Sequence, residues 1–156
     1  MNHGKWISVV LLILAVFLFA CDRNRIFEEN AVIENGIWNV RNKVVFSVPV
    51  GDPLARYRVM IQVRNAPEYS YSNLYLFMNT CFPDGKVARD TIELTLADYD
   101  GRWLGSGMGS VKFNRFLLQS GVRFPEKGIY RFEFEQAMRV GELKGIRDFG
   151  LRIEKQ

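Results

Sequence analysis

Residues 130–135 read Tyr-Arg-Phe-Glu-Phe-Glu, and their strict alternation decides the class of fold. Tyr130, Phe132 and Phe134 fall on one side, and Arg131, Glu133 and Glu135 on the other. A period of two places every second side chain on one face of an extended chain, so this stretch is a half-buried strand with its aromatic face inward. A helix would scatter the same residues around its axis. Just upstream, Phe124-Pro125-Glu126-Lys127-Gly128 has the residues of a turn.

The same period recurs on both sides. Val44, Phe46, Val48 and Val50 alternate with smaller or polar neighbours, and Tyr57, Val59, Ile61 and Val63 alternate with Arg58, Met60, Gln62 and Arg64. Tyr71–Cys81 is apolar on both faces, which suits a central strand. Phe82-Pro83-Asp84-Gly85 then supplies a preset φ, an aspartate and a glycine that accepts positive φ, so a hairpin follows. On its return arm Ile92, Leu94 and Leu96 point one way, and Asp98-Tyr99-Asp100-Gly101 closes it. A glycine-rich crossing leads to Ser110–Leu118, whose periodicity is mixed, and Leu151 and Ile153 mark a last strand. Seven or eight strands with closely spaced turns and almost no helical periodicity predict a single all-β domain over 43–156. The expected architecture is an antiparallel β-sandwich, either jelly-roll or immunoglobulin-like.

The N-terminal stretch has a different character. Met1–Cys21 has a lone positive charge at Lys5, an apolar run from Trp6 to Phe19, and Ala20 before Cys21. That is the order of a secretory signal. A helix of about 14 residues spans roughly 21 Å, short of the roughly 30 Å of a bilayer core. With a small residue before a cysteine whose thiol can take a diacylglycerol, residues 1–20 read as a lipoprotein signal and Cys21 as the lipid-attachment residue. Phe19 is bulkier than such signals prefer. Residues 21–42 are polar and asparagine-rich and read as a tether, although Ile33, Ile37 and Trp38 suit an edge strand or a segment docked on the domain.

Bulk properties narrow the chemistry. The formal charge of +4 in 156 residues is mild, and basic residues are mixed with acidic ones along the chain, which argues against nucleic-acid binding. The single histidine, His3, lies inside the signal, so neither a histidine-paired nucleophile nor a histidine-centred metal site is expected in the mature chain. Lipidation of Cys21 would leave Cys81 without a disulfide partner and read as a small core residue. No metal or other cofactor is expected, and no enzymatic activity.

Four features carry functional alternatives. Gly101–Gly109 combines closely spaced glycines with Arg102 and Trp103; a flexible crossing is the simple reading, and a partner or ligand loop using those two residues the other. Tyr75, on the doubly apolar strand, joins them as a candidate contact surface, and exposed aromatics there would suit an envelope glycan-binding module. Asp98-x-Asp100-Gly101 resembles the start of a calcium loop, but the twelfth position is Gly109 where a bidentate glutamate belongs. Glu133 and Glu135 sit about 7 Å apart along one face, a spacing open to paired-carboxylate hydrolysis, but beside Arg131 they read as a salt-bridged surface.

Several blocks taken together resemble a known family. YSNLYLF from Tyr71, FPDGKVARDTIE from Phe82, LADYDGRWLGSGMG from Leu96, VRFPEKGIYRFEFEQAMR from Val122 and GIRDFGLRIEK from Gly145 are similar, in order, to the gliding-motility lipoprotein family GldH of Bacteroidetes. The resemblance implies a lipid-anchored, non-enzymatic envelope protein, its lipid on Cys21, with protein partners in the gliding or type IX secretion apparatus. Asp22-Arg23-Asn24-Arg25 lacks an acidic cluster, so a periplasm-facing anchor is expected.

Overall fold

A computed structural model describes residues 24–156, and the alternating stretches are extended strands. Among the described residues these are β1 (Arg25–Val32), β2 (Ile37–Asn39), β3 (Val44–Val50), β4 (Tyr57–Asn65), β5 (Asn73–Cys81), β6 (Val87–Thr95), β7 (Lys112–Val122), β8 (Gly128–Gln136), β9 (Glu142–Lys144) and β10 (Ile146–Lys155). The eight long strands are β1, β3–β8 and β10. β2 and β9 form a short separate ribbon.

The pairing is nested. β5 pairs β6, β4 pairs β7, β3 pairs β8 and β1 pairs β10, all antiparallel. The chain therefore behaves as one long hairpin with its tip at residues 82–86. Rolled up, it gives two four-stranded sheets in the orders β1-β10-β4-β7 and β3-β8-β5-β6. That is a jelly roll, which settles the alternative in favour of that form over the immunoglobulin-like one.

Alternation sets the core. β3 buries Val44, Phe46, Val48 and Val50, and β8 buries Tyr130, Phe132 and Phe134. Facing them are Val59, Ile61 and Val63 of β4 and Phe149, Leu151 and Ile153 of β10. Phe134 lies 4.8 Å from Phe149 and 6.1 Å from Phe46, so the sheets interlock through rings. Each such side chain contributes roughly 1.5–3 kcal/mol by leaving water.

The N-terminal boundary differs from the expected tether. Within the segment read as 21–42, Arg25–Val32 is an edge strand on β10, and Trp38 is buried against Phe149 with its indole N–H donating to the Asn42 carbonyl at 2.8 Å. The sandwich thus includes residues 25–42. Docking of Ile33 and Trp38 follows the reading of that stretch as a packed segment. β1 itself was obscured because its inward residues, Ile26, Phe27 and Ala31, do not alternate: a bulge between Arg25 and Phe27 breaks the period, and charged residues lie between them. Residues 1–20 and Cys21 lie outside the described residues.

Antiparallel alternation sorts the connections into two ends. The base comprises 51–56, 82–86 and 123–127, with the start of β1 and the end of β10. The crown comprises 33–43, 66–72, 96–111 and 137–145. Nine-residue strands separate the ends by roughly 30 Å.

Candidate functional site

The crown gathers the residues proposed for contact. In the 96–111 connection, Asp98 is the organiser: its carboxylate accepts from the backbone N–H of Asp100 and Arg102 at 3.0 and 2.8 Å and from Arg102 Nε at 3.0 Å. Arg102 also reaches Asp100 at 3.1 Å. The acidic pair therefore holds an arginine and a turn, in keeping with the turn reading over the calcium-loop one. Arg102 is exposed, but its guanidinium already serves the loop. The crossing is held further by bridges pairing Ala97 with Trp103 and Ser106 with Phe113.

Trp103 is half-buried against Tyr69, with ring centroids 6.4 Å apart. Tyr69 in turn meets Tyr71 edge-on at 5.7 Å and donates its hydroxyl to the Asn73 carbonyl at 2.6 Å. Burial, with Tyr71 beside it, pushes the Tyr69 hydroxyl pKa well up, so it stays protonated. Tyr71 and Tyr75, both partly exposed, then line a cleft of about 470 Å³ with Asn73, Met138, Arg139 and Val140. Met138 closes it, its Sδ accepting from the Tyr75 backbone N–H at 3.3 Å. Trp103 and Tyr75 are thus joined through Tyr69 and Tyr71, whereas Arg102 stands apart in its own turn.

The sequence reading missed the most exposed apolar residues of the crown. Tyr99, Leu104 and Met108 are 97%, 59% and 102% exposed. Their signal was compositional: large apolar residues among glycines, with no periodicity to carry them inward. Met138 and Arg139 were likewise unremarkable until β8 and β9 bent them toward Tyr75.

Glu133 and Glu135 are bridged by Lys43 at 3.2 and 3.0 Å, while Arg131 holds Glu133 at 2.8 Å and Arg89 faces Glu135 at 3.9 Å. Burial would raise the Glu133 carboxyl, but Lys43, Arg131 and Asn79 hold it below the ordinary carboxylate range. A hydrolytic pair needs one carboxyl raised to act as acid. This face is instead a neutralised charge lattice, with Arg89 also lying 4.4 Å over the Phe77 ring. Cys81 is a half-buried free thiol near Arg131 rather than a core residue. Among the described residues, no group of three or more His, Cys, Asp or Glu could hold a metal ion.

Fold and site together define a jelly-roll module whose candidate functional features are surfaces at the ends of the sandwich. The chain belongs to the GldH lipoprotein family, whose model matches residues 25–153. It is 38% identical over 156 residues to the gliding motility lipoprotein GldH homolog of Christiangramia forsetii, covering 95% of each chain. It is 33% identical over 156 residues to the gliding motility lipoprotein GldH of Flavobacterium johnsoniae, covering 96% of each. Among solved structures, dimeric latent PorU from Porphyromonas gingivalis aligns with 85% of this chain and 13% of its own at 10% identity. Its TM-score of 0.27 is too low to transfer anything. The family match opens on the first residue of β1 and closes within β10, so the family unit includes the segment before β3.

Proposed function

We propose that this chain is a lipid-anchored cell-envelope protein of the gliding motility machinery, held by a lipid on Cys21 and acting through protein contacts without chemistry of its own. The names of the two relatives support the setting. Met1–Cys21 supports the anchor, and the absence of an acidic cluster in Asp22–Arg25 supports a periplasm-facing position. The observation that carries the mode of action is the exposure of Tyr99, Leu104 and Met108 on one braced loop. Exposed apolar side chains gathered into one patch mark a contact surface, and these three, carried by a single loop, are the contact residues of this reading. Protein partners in the gliding or type IX secretion apparatus fit that surface.

The test is complementation of a gliding bacterium that lacks its own family member. The unaltered chain is expected to restore surface spreading, and Tyr99→Ser/Leu104→Ser/Met108→Ser to fail while keeping fatty-acid labelling and the unfolding midpoint. Full spreading by that variant overturns contact through the crown. Cys21→Ala is expected to lose fatty-acid labelling and membrane fractionation, and persistent labelling overturns the anchor.

A second reading, an envelope glycan-binding module, draws on the cleft between Tyr71 and Tyr75. Trp103 gives it less support, because one face of a half-buried indole already packs on Tyr69. Retention on a glycan array that Tyr75→Ala abolishes would favour it; no retention dismisses it.

A further inference from the structure

The base faces the anchor across very little chain. The Asn24 carbonyl accepts from the Lys155 backbone N–H at 2.7 Å, so the path is already fixed to the end of β10 at Asn24. Only Asp22 and Arg23 separate Asn24 from Cys21. At about 3.3–3.6 Å per residue, Cys21 lies within roughly 11 Å of the base. A lipid on that cysteine brings the base within reach of headgroups whatever path those residues take.

The base is built to meet them. Its three loops stand on one ring cluster: Tyr57 lies 5.2 Å from Phe124, Phe124 lies 4.8 Å from Tyr130, and Tyr130 lies 5.5 Å from Phe82. Hydroxyls brace the loops as well. Tyr57 donates to the Asp52 carbonyl at 2.7 Å, and Tyr130 accepts from the Glu126 backbone N–H at 3.1 Å. Leu54 projects from this platform, 83% exposed.

Charge at the base is unevenly matched. Asp52 pairs with Lys155 and Asp84 with Lys86, both at 2.6 Å. Arg56, Arg123 and Lys127 are exposed and, among the described residues, carry no ion pair. Glu126 is the opposing carboxylate on the same turns. Three unmatched cations at the same end of the sandwich as a protruding leucine complement an anionic, amphipathic surface.

We infer that the base is a seat on anionic phospholipid: Arg56, Arg123 and Lys127 meet headgroup phosphates, Leu54 enters the interface, and the strands stand upright with the crown facing away from the bilayer. This rests on the lipid at Cys21. It gives that anchor a fixed orientation, and it places Tyr99, Leu104 and Met108 roughly a strand length from the membrane.

The test uses the full lipidated protein in vesicles of phosphatidylethanolamine and phosphatidylglycerol, against phosphatidylcholine alone. Nitroxides are placed by Leu54→Cys or Met108→Cys in a Cys81→Ser background, and mass spectrometry checks the acyl group on Cys21. The label at 54 is expected to show the high oxygen and low nickel-chelate accessibility of the interface in anionic vesicles, and the label at 108 to remain aqueous. Arg56→Glu/Arg123→Glu/Lys127→Glu should return the label at 54 to water while the protein stays on the vesicle. A label at 54 that is aqueous on acylated protein overturns the seat and leaves the anchor standing. Equal immersion in phosphatidylcholine, or retained immersion in the charge-reversed variant, overturns the role of the three cations. Protein without an acyl group overturns the anchor on which the seat rests.

Discussion

Glu28 shows how a single residue on an outer face holds distant parts of the chain. Its carboxylate accepts from Arg25 at 2.8 Å, Arg152 at 2.6 Å and Gln62 at 2.8 Å, with Arg115 at 3.9 Å. Burial would raise its pKa, but Arg25, Gln62 and Arg152 together lower it from the ordinary 4.5 to about 2. A folded pKa below the unfolded value stabilises fully above about 4.5, and that gain disappears as pH falls toward 2. Glu28→Gln should therefore cost on the order of 1–2 kcal/mol at neutral pH, after allowing for screening, and flatten the fall in stability across that window. Urea midpoints measured against pH check this; an acid limb unchanged in the variant would refute it. Gly145 acts through shape instead. It sits at φ +92° with the Tyr69 backbone where a Cβ would stand. Gly145→Ala is expected to cost on the order of 3 kcal/mol, against about 1 kcal/mol for Gly85→Ala, where φ is also positive but nothing lies within 4 Å. Similar losses in denaturant would show that the Tyr69 contact is unimportant.

Among the elements, β10 has the least obvious place. It ends the chain yet lies inside its sheet, between β1 and β4, and buries Phe149, Leu151 and Ile153 completely. Among the described residues it is also the one strand on which β1 pairs. A chain ending at Lys144 should lose its cooperative thermal transition, whereas removal of Lys155 and Gln156 should lower the midpoint by only a few degrees. Circular dichroism melts distinguish the two; a cooperative transition in the shorter chain would place the core elsewhere. β7 shows why its own pattern read poorly. Its pairing with β4 shifts register at Tyr57/Arg58 and Val59/Met60, and each bulge resets which side chains face inward.

At the scale of the whole molecule, the jelly roll closes because strands far apart in sequence are neighbours in space. Strand faces at Val44–Val50, Tyr57–Val63 and Tyr130–Glu135, and the turns at Phe82–Gly85 and Asp98–Gly101, were legible because alternation and turn chemistry act within a few residues. Of the candidate surface, Tyr75 and Trp103 were legible as aromatic outliers, but their connection through Tyr69 and Tyr71 was not, since three separate segments of the crown build it. Tyr99, Leu104 and Met108 carried no period to distinguish a core residue from a presented one. The sequence by itself determined the class, the strand faces and the family, because those reside in local pattern and composition. Strand order, the place of β1 and β10, and the division into a base and a crown were decided only in three dimensions. Glu28 meets Arg152 across 124 positions, and no local rule selects a partner at that distance. That choice belongs to the burial of both sheets at once.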